Sequence, residues 1–170
     1  MRRIRYFVAA SLDGYIAGPN GEVDWITVNS EIDFNAVFRQ FDTILVGRRT
    51  FEVMASAGRA VMPGMKTIVF STTLRGQDYP DVSIVANDPI ETLAALKAGP
   101  GKDICLFGGG SLFRSLSEAG IVDTVEVSVM PVLLGGGIPL LPSPASRINL
   151  ALRAHKIYKS GIVSLEYAVG

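Results

Sequence analysis

Three consecutive glycines, Gly108–Gly110, stand where an apolar stretch predicted as a strand runs into a predicted helix. Glycine lets the backbone approach a ligand closely, and the N–H groups at the start of a helix can bind phosphate oxygens. The triplet does not complete the G-x-G-x-x-G dinucleotide fingerprint, because Leu112 and Phe113 occupy the later positions. A phosphate-binding turn and a tight structural turn therefore both remain open from this feature alone.

A second candidate for phosphate binding follows a different predicted strand, at Gly47, Arg48, Arg49 and Thr50. The planar guanidinium group of arginine donates two hydrogen bonds at once to a phosphate, and a threonine hydroxyl can add another. The alternative is that both arginines are ordinary exposed residues at the start of a helix. Two such strand ends on one parallel sheet face the same edge, where ligands of open α/β folds bind, so their joint occurrence favours a site.

Glu31 and Asp33 are the candidates for moving a proton. A carboxylate in an apolar cleft can have the raised pKa that proton delivery needs. Ser30 and Asp33 also have the spacing of a capping box, with Asp in place of the usual Glu or Gln, before a helix predicted over 31–40. The alternative is that these residues cap that helix and that Glu31 favours its positive end.

Other catalytic chemistries find little support in the sequence. One cysteine and one histidine beside scattered acids give no ligand spacing, so no metal site is predicted. No G-x-S-x-G nucleophile elbow is present. His155 is expected to be a surface residue on a late strand. Cys105 lies in an apolar stretch, which predicts a buried thiol and fits a reduced, cytoplasmic compartment.

The elements that must position these residues change in character along the chain. Strands alternate with helices in the first part, which predicts a largely parallel sheet covered on both faces. The last strands have no helices between them, which predicts an antiparallel end. The loop up to about residue 29 is long and rich in glycine, as expected of a lid over a site. The predicted strands cover residues 4–12, 43–46, 66–70, 82–85, 103–107, 124–130, 150–158 and 162–169.

Composition limits the classes of protein. With 170 residues, one domain over 1–170 is expected. Hydrophobic residues make up 48% and charged residues 19%, with no net charge, so a globular chain without a nucleic-acid footprint is predicted. No stretch reaches the roughly 18 to 20 apolar residues that a membrane helix needs, and no signal peptide is recognised, so the protein is expected to be soluble.

Several segments resemble known reductases in order and spacing. Ile44–Glu52, Thr67–Ser71 and Ile104–Gly110 are similar to the cofactor-binding segments of dihydrofolate reductases. Ser11–Ala17 and Pro131–Pro139 look more like the reductase domain of riboflavin biosynthesis, the RibD C-terminal domain, and its stand-alone relatives. The resemblance covers nearly the whole chain. It implies a three-layer dihydrofolate-reductase-like α/β fold, with a mixed, mostly parallel central sheet, an antiparallel C-terminal hairpin and helices on both faces.

The resemblance implies that NADPH lies across the ends of the strands and passes hydride to a small heterocycle. The pyrophosphate would lie near the first glycine triplet, the adenosine 2′-phosphate near the two arginines, and the nicotinamide near the first strand and its loop. The cofactor residues implied in this way are Ala10, Ile16, Gly18, Gly47, Arg48, Arg49, Thr50, Ser71, Thr72, Gly108, Gly109, Gly110, Ser111 and Leu112. In dihydrofolate reductases an acidic residue on the first helix binds the pterin, and ungapped counting places Glu31 there, with Asp33 close by.

The substrate side departs from the riboflavin enzymes. Their Ser-Leu-Asp-Gly motif is usually followed by Lys, where this chain has Tyr15, and a Glu often precedes the glycines, where this chain has Phe107. Trp25 and Thr27 belong to a family-like Trp-Ile-Thr that can contact a ring and a ribose phosphate, although Trp25 can equally anchor the core or the lid.

Three functions remain open. The first is an NADPH-dependent reductase of a pterin-like or pyrimidine-like substrate. The second is the 5-amino-6-(5-phosphoribosylamino)uracil reductase of riboflavin biosynthesis, which Tyr15 and Phe107 argue against. The third is a non-catalytic nucleotide-binding protein. The relatives further imply a homodimer, to which the apolar segment 130–141, with the second glycine triplet, can contribute.

Overall fold

An eight-stranded sheet forms the centre of the structure, a computed structural model that describes residues 1–170. A second sheet has only two strands. In chain order the elements are β1 (Ile4–Ser11), β2 (Tyr15–Ala17), α1 (Phe34–Phe38), β3 (Phe41–Gly47), α2 (Arg48–Ser56), β4 (Lys66–Phe70), a 3-10 turn (Gly76–Asp78), β5 (Ser83–Val85), α3 (Pro89–Ala98), β6 (Asp103–Gly108), α4 (Gly110–Glu118), β7 (Thr124–Met130), β8 (Ile138–Pro139), β9 (Leu150–Ile157) and β10 (Val163–Val169).

The order of strands in the large sheet is β5-β4-β3-β6-β1-β7-β10-β9. The strands from β5 to β7 run parallel, whereas β10 is antiparallel to both of its neighbours. This arrangement confirms the predicted mixed sheet with an antiparallel C-terminal hairpin. The small sheet pairs β8 with β2, and β2 lies in the segment that the sequence predicted only as a lid loop.

Hydrophobic cores lie on both faces of the large sheet, because the strands alternate their side chains between the two faces. One core holds 14 buried residues and includes Leu93 of α3 and Phe113 of α4, whose ring stacks on Tyr6 at 4.0 Å between centroids. The other holds seven buried residues and includes Phe51 and Met54 of α2. Both faces are thus covered, as the alternation of strands and helices predicted. None of the helices is both long and apolar enough to cross a membrane.

Ion pairs close the edge of the sheet where the parallel strands begin. The Arg5 guanidinium donates to both carboxylate oxygens of Glu126, at 2.6 and 2.8 Å, and lies 3.5 Å from Asp103. It also stands 4.8 Å from the centroid of the Phe41 ring. These side chains occupy the edge where the parallel strands begin, whereas ligands of open α/β sheets bind at the opposite edge, where the strands end.

The helix predicted over 31–40 is shorter in the structure, and its predicted cap at Ser30 is wrong. Asp33 is the N-cap residue of α1, since its Oδ1 accepts a hydrogen bond of 3.0 Å from the N–H of Ala36. The buried side chain of Asn29 accepts from the N–H of Glu31 and donates to the hydroxyl of Ser160. These bonds hold residues 29–31 on the β9–β10 turn and keep them out of the helix.

Candidate active site

The ends of four adjacent parallel strands form one edge of the sheet. In spatial order these ends are Phe70 of β4, Gly47 of β3, Gly108 of β6 and Ser11 of β1. Neighbouring strands lie about 4.8 Å apart, so the row measures roughly 14 Å. A surface of this length can accommodate two linked nucleotides, and it is the edge at which ligands of open α/β sheets bind.

The first glycine triplet forms the turn from β6 into α4, where other side chains pack closely against the backbone. Gly108 is buried and has a φ of +147°, a conformation that favours glycine, and the Gly108–Gly109 peptide bond is cis. A Cβ atom placed on Gly108 or on Gly109 would lie 3.4 Å from the Thr50 hydroxyl oxygen. A Cβ on Gly47 would lie 3.8 Å from the backbone nitrogen of Gly109. Side chains would therefore fill the space through which a phosphate group reaches the N–H groups at the start of α4.

A cleft of about 460 Å³ lies beyond the ends of β4 and β5. It brings together three of the predicted cofactor residues, Arg48, Ser71 and Thr72. The remaining lining residues are Phe70, Thr73, Val85, Ala86 and Pro89. Arg49, predicted to act beside Arg48, is exposed and does not line this cleft. Successive residues of an α-helix point in different directions, so only Arg48 at the start of α2 faces the cleft.

Two of the polar side chains that line the cleft, Arg48 and Ser71, make hydrogen bonds with their own neighbours. Arg48 Nη1 donates to the Glu52 carboxylate at 3.1 Å, and both side chains are 43% exposed. An exposed pair of this kind contributes only about 0.3–0.5 kcal/mol, so a phosphate can compete with Glu52 for the guanidinium group. The Ser71 hydroxyl accepts from the N–H groups of Thr73 and Leu74, at 3.2 and 3.0 Å, and thus shapes the turn. Its own proton remains available for Thr73 or for a ligand.

The residues predicted to border the nicotinamide lie at the end of β1 and in the loop beyond it. Ala10 is buried in β1, and Ile16 of β2 packs against the first core. Gly18 donates to the Glu22 carbonyl oxygen at 2.8 Å, and a Cβ on Gly18 would collide with the Glu22 carboxylate. The predicted lid, the loop over residues 12–29, therefore folds tightly on itself beside the end of β1.

Asp13 connects this loop to the second glycine triplet. Its carboxylate accepts from the Ser11 hydroxyl at 2.6 Å, from Leu134 N–H at 3.1 Å and from Gly135 N–H at 2.7 Å. These hydrogen bonds lower the pKa of Asp13 to about 2, and the bond from the Ser11 hydroxyl has the largest effect. A lowered pKa means that the bonds stabilise the fold at neutral pH and are lost as the pH falls through about 2, so the contact persists at physiological pH.

Aromatic side chains line the region between β1, β6 and α1. The Phe38 ring lies 6.2 Å from that of Phe7 and 6.3 Å from that of Phe107. Of the other predicted substrate residues, Tyr15 pairs with Pro139 in the small sheet, and the Trp25 indole donates to the Glu22 carbonyl at 3.0 Å. Thr27 is exposed in the lid. Only Phe107 thus belongs to an aromatic cluster, a suitable surface for a flat, uncharged ring.

Glu31 and Asp33 are both exposed, and neither lies in an apolar cleft. Glu31 Oε2 accepts a hydrogen bond of 3.1 Å from the backbone N–H of Lys159. Asp33 caps α1 and lies 3.9 Å from the Arg39 guanidinium group. A role for either carboxylate in proton transfer therefore stays a prediction, with Asp33 already engaged in the helix cap and Glu31 fastened to the C-terminal hairpin.

The sequence interpretation missed two residues that organise the site. The sequence predicts a turn at Asp13-Gly14 and places Asp13 in the Ser-Leu-Asp-Gly motif, but it assigns the side chain no partner, although an aspartate in a turn often accepts hydrogen bonds from nearby backbone N–H groups. Asn29 left no recognisable signal, because its partner Ser160 is 131 residues away in the sequence.

Cys105 is buried, as the sequence predicts. Burial raises the pKa of its thiol to about 12, so the thiol is unreactive at neutral pH.

The fold and the row of strand ends define an α/β protein of dihydrofolate-reductase-like architecture with a cleft at the carboxyl edge of its parallel strands. The family model of the RibD C-terminal domain matches residues 2–164. YyaP of Bacillus subtilis (strain 168) is 37% identical over 179 residues, which cover 98% of this chain and 94% of that protein. This chain belongs to the RibD C-terminal domain family.

Solved structures share the fold. A protein from Shewanella sp. PV-4 whose name connects it with riboflavin biosynthesis superposes with a TM-score of 0.84 at 24% identity, covering 100% of this chain and 99% of that one. Dihydrofolate reductase from Enterococcus faecalis, in complex with NADP(H), superposes with a TM-score of 0.72 at 18% identity, covering 99% and 96%. At these identities the likeness shows the fold alone. The family to which the chain belongs supports a reductase activity, and the fold is consistent with it.

Proposed function

We propose that this chain is an NADPH-dependent reductase that transfers hydride to a small heterocycle of the pterin or pyrimidine type. The observation that carries this proposal is the row of strand ends, with the first glycine triplet near its middle and the Arg48 cleft at one end. This spacing suits a dinucleotide whose pyrophosphate lies against backbone N–H groups and whose adenosine carries a further phosphate.

The residues present fit NADPH in two respects. Glycines at the ends of β3 and β6 leave the space that a Cβ would fill, which is what close approach of a pyrophosphate requires. Arg48 contributes a guanidinium group to the cleft, and Thr72 and the proton of Ser71 provide hydroxyl donors. When bound, NADPH supplies the hydride, while the protein supplies binding, orientation and electrostatics.

The substrate side supports a flat ring without a charged tail. The cluster of Phe7, Phe38 and Phe107 offers an apolar surface, and neither Tyr15 nor Phe107 provides the charged group that the riboflavin enzymes usually have at these positions. The family assignment keeps the ribosylated uracil of riboflavin biosynthesis as a second candidate substrate. Glu31, in the loop that precedes α1, is the proposed proton source if the ring needs protonation, because the resemblance to dihydrofolate reductases places their acidic residue there.

Calorimetric titration of the protein with NADPH, NADH and dihydrofolate, each alone, tests the proposal. We expect NADPH to bind more tightly than NADH, and we expect loss of NADPH absorbance when a suitable heterocycle is added. Failure of both nucleotides to bind would overturn the assignment. Binding of NADPH without turnover of dihydrofolate or of the ribosylated uracil would instead favour a nucleotide-binding protein without catalysis.

We further propose that the chain is a homodimer of single-domain subunits in the cytoplasm. One domain over 1–170 is supported by the central sheet, which draws strands from both ends of the chain. Every residue of the edge strand β9 is exposed. Leu150, Leu152 and Ile157 are 45%, 54% and 71% exposed, and their partners on β10 are Val169, Tyr167 and Val163. Cross-strand partners share a face, so these residues form one mostly apolar surface, interrupted by His155 opposite Leu165, of the kind that subunit contacts bury.

Charged substitutions on the apolar face of the β9–β10 hairpin are expected to disrupt the proposed dimer. The double variant Leu152→Glu with Ile157→Glu should convert a dimer to a monomer, because each substitution would bury an unpaired carboxylate at the contact. Light scattering of the purified protein measures the mass. Lys156→Glu is the matched control, since Lys156 pairs with Ser164 on the opposite face of the same strands and should leave the dimer intact. A monomeric wild-type protein would contradict the proposal.

A further inference from the structure

The second glycine triplet, Gly135–Gly137, has a structural partner at the other end of the chain. Asp13 binds the N–H groups at its start, Leu12 donates to the Val132 carbonyl at 2.9 Å, and Leu140 donates to the Gly14 carbonyl at 2.9 Å. Two backbone hydrogen bonds therefore flank the Asp13 contact. The segment 131–140 thus forms a mount against which the start of the lid, residues 12–17, is held.

We propose that Asp13 is a positioning residue for the nicotinamide end of the site, because it fastens residues 12–17 to the second glycine triplet. This inference rests on the proposed function, which assigns Ala10, Ile16 and Gly18 to the border of the nicotinamide. All of the partners of Asp13 belong to the mount or to the strand end, so its carboxylate contacts neither the cofactor cleft nor the aromatic cluster. Its effect must therefore be transmitted through β2.

The hydrogen bonds to Asp13 are charge-assisted. An ionised carboxylate accepts all three, and such charge-assisted bonds are roughly twice as strong as neutral ones. Two donors, Leu134 N–H and Gly135 N–H, come from the mount, so loss of the charge on Asp13 weakens the contact between the segments themselves. The pairing of β2 with β8 then has only a few residues to hold it.

Asp13→Asn tests this role with two readouts. We expect hydrogen exchange at the amides of residues 134 and 135 to accelerate by about tenfold or more in the protein without cofactor, because their acceptor loses its charge. We expect the Kd for NADPH to rise by roughly tenfold, because the competent position of the loop is less populated. Binding of adenosine 2′,5′-bisphosphate, which lacks the nicotinamide half, should stay unchanged. A merely structural loss would weaken both ligands.

Glu22→Gln is the matched control, since Glu22 lies in the same lid and its carboxylate accepts only from Asn20, two residues away. It should leave exchange at residues 134 and 135 unchanged. Unchanged exchange in Asp13→Asn, or faster exchange with an unchanged Kd for NADPH, would overturn the positioning role. If wild type does not bind NADPH, the proposed function fails, and hydrogen exchange alone decides whether Asp13 fastens residues 12–17 to the mount. If Asp13→Asn does not fold, Ser11→Ala, which removes one of the three bonds to Asp13 and the acceptor of the Tyr15 N–H, should still accelerate exchange at residues 134 and 135, and unchanged exchange would overturn the role.

Discussion

Arg48→Ala should weaken NADPH binding by about 10- to 100-fold, the loss expected for a charge-assisted hydrogen bond to a phosphate. NADH lacks the 2′-phosphate, so its binding should change little. Adenosine 2′,5′-bisphosphate should lose as much affinity as NADPH, because the cleft that contains Arg48 is where this phosphate is proposed to bind. Calorimetric titration of the three nucleotides measures each Kd.

Arg49→Ala is the control for this substitution. Arg49 carries the same charge and neighbours Arg48 at the start of α2, but it does not line the cleft. If general electrostatic attraction held the phosphate, both variants would lose affinity equally. If Arg48→Ala weakened NADPH and NADH by the same factor, the 2′-phosphate would not lie in this cleft and the preference for NADPH would need another origin.

The part of the fold that local patterns control was predictable. β4 and β7 have the bounds that their β-branched, apolar runs predict. The sequence signals for α3 are Asp88-Pro89 at its start and Gly99-Pro100-Gly101 at its end, and the helix does run from Pro89 to Ala98, although the Asp88 side chain makes no capping hydrogen bond. The small β2–β8 sheet was not predictable, because strands of three and two residues are too short to show any periodicity. Helix α1 was predicted too long, since the bond from Asn29 to Ser160 connects residues 131 positions apart.

The sequence predicts which types of residue form the candidate site better than it predicts how their side chains are oriented. Strand ends and glycine turns mark the edge of a parallel sheet, and the structure brings Arg48 and Ser71 together in a cleft at that edge. The difference between Arg48 and Arg49 depends on the rotation of α2 about its axis, which only packing of Phe51 and Met54 fixes. The exposure of Glu31 likewise depends on the C-terminal hairpin, whose turn the sequence did not connect with it.

Gly137→Ala should lower the free energy of unfolding by about 2 to 4 kcal/mol, which combines the usual costs of a strained backbone and of an overpacked contact. Gly137 has a φ of +143°, which alanine rarely adopts, and a Cβ there would collide with the carbonyl oxygen of Ala17. The collision pushes β8 away from β2. Denaturant unfolding measures the loss of stability, and NADPH binding should weaken with it, because Ile16 and Gly18 flank Ala17.

Gly136→Ala separates this effect from a general requirement for glycine in the triplet. No heavy atom lies within 4 Å of the position that a Cβ on Gly136 would occupy, and its φ is outside the left-handed range. Alanine also narrows the unfolded ensemble, so this variant should be neutral or stabilise the fold by up to about 1 kcal/mol. Equal destabilisation by both substitutions would mean that flexibility of the whole triplet matters. A loss confined to Gly137→Ala would establish close packing of the lid on its mount as the physical reason for a glycine at that position.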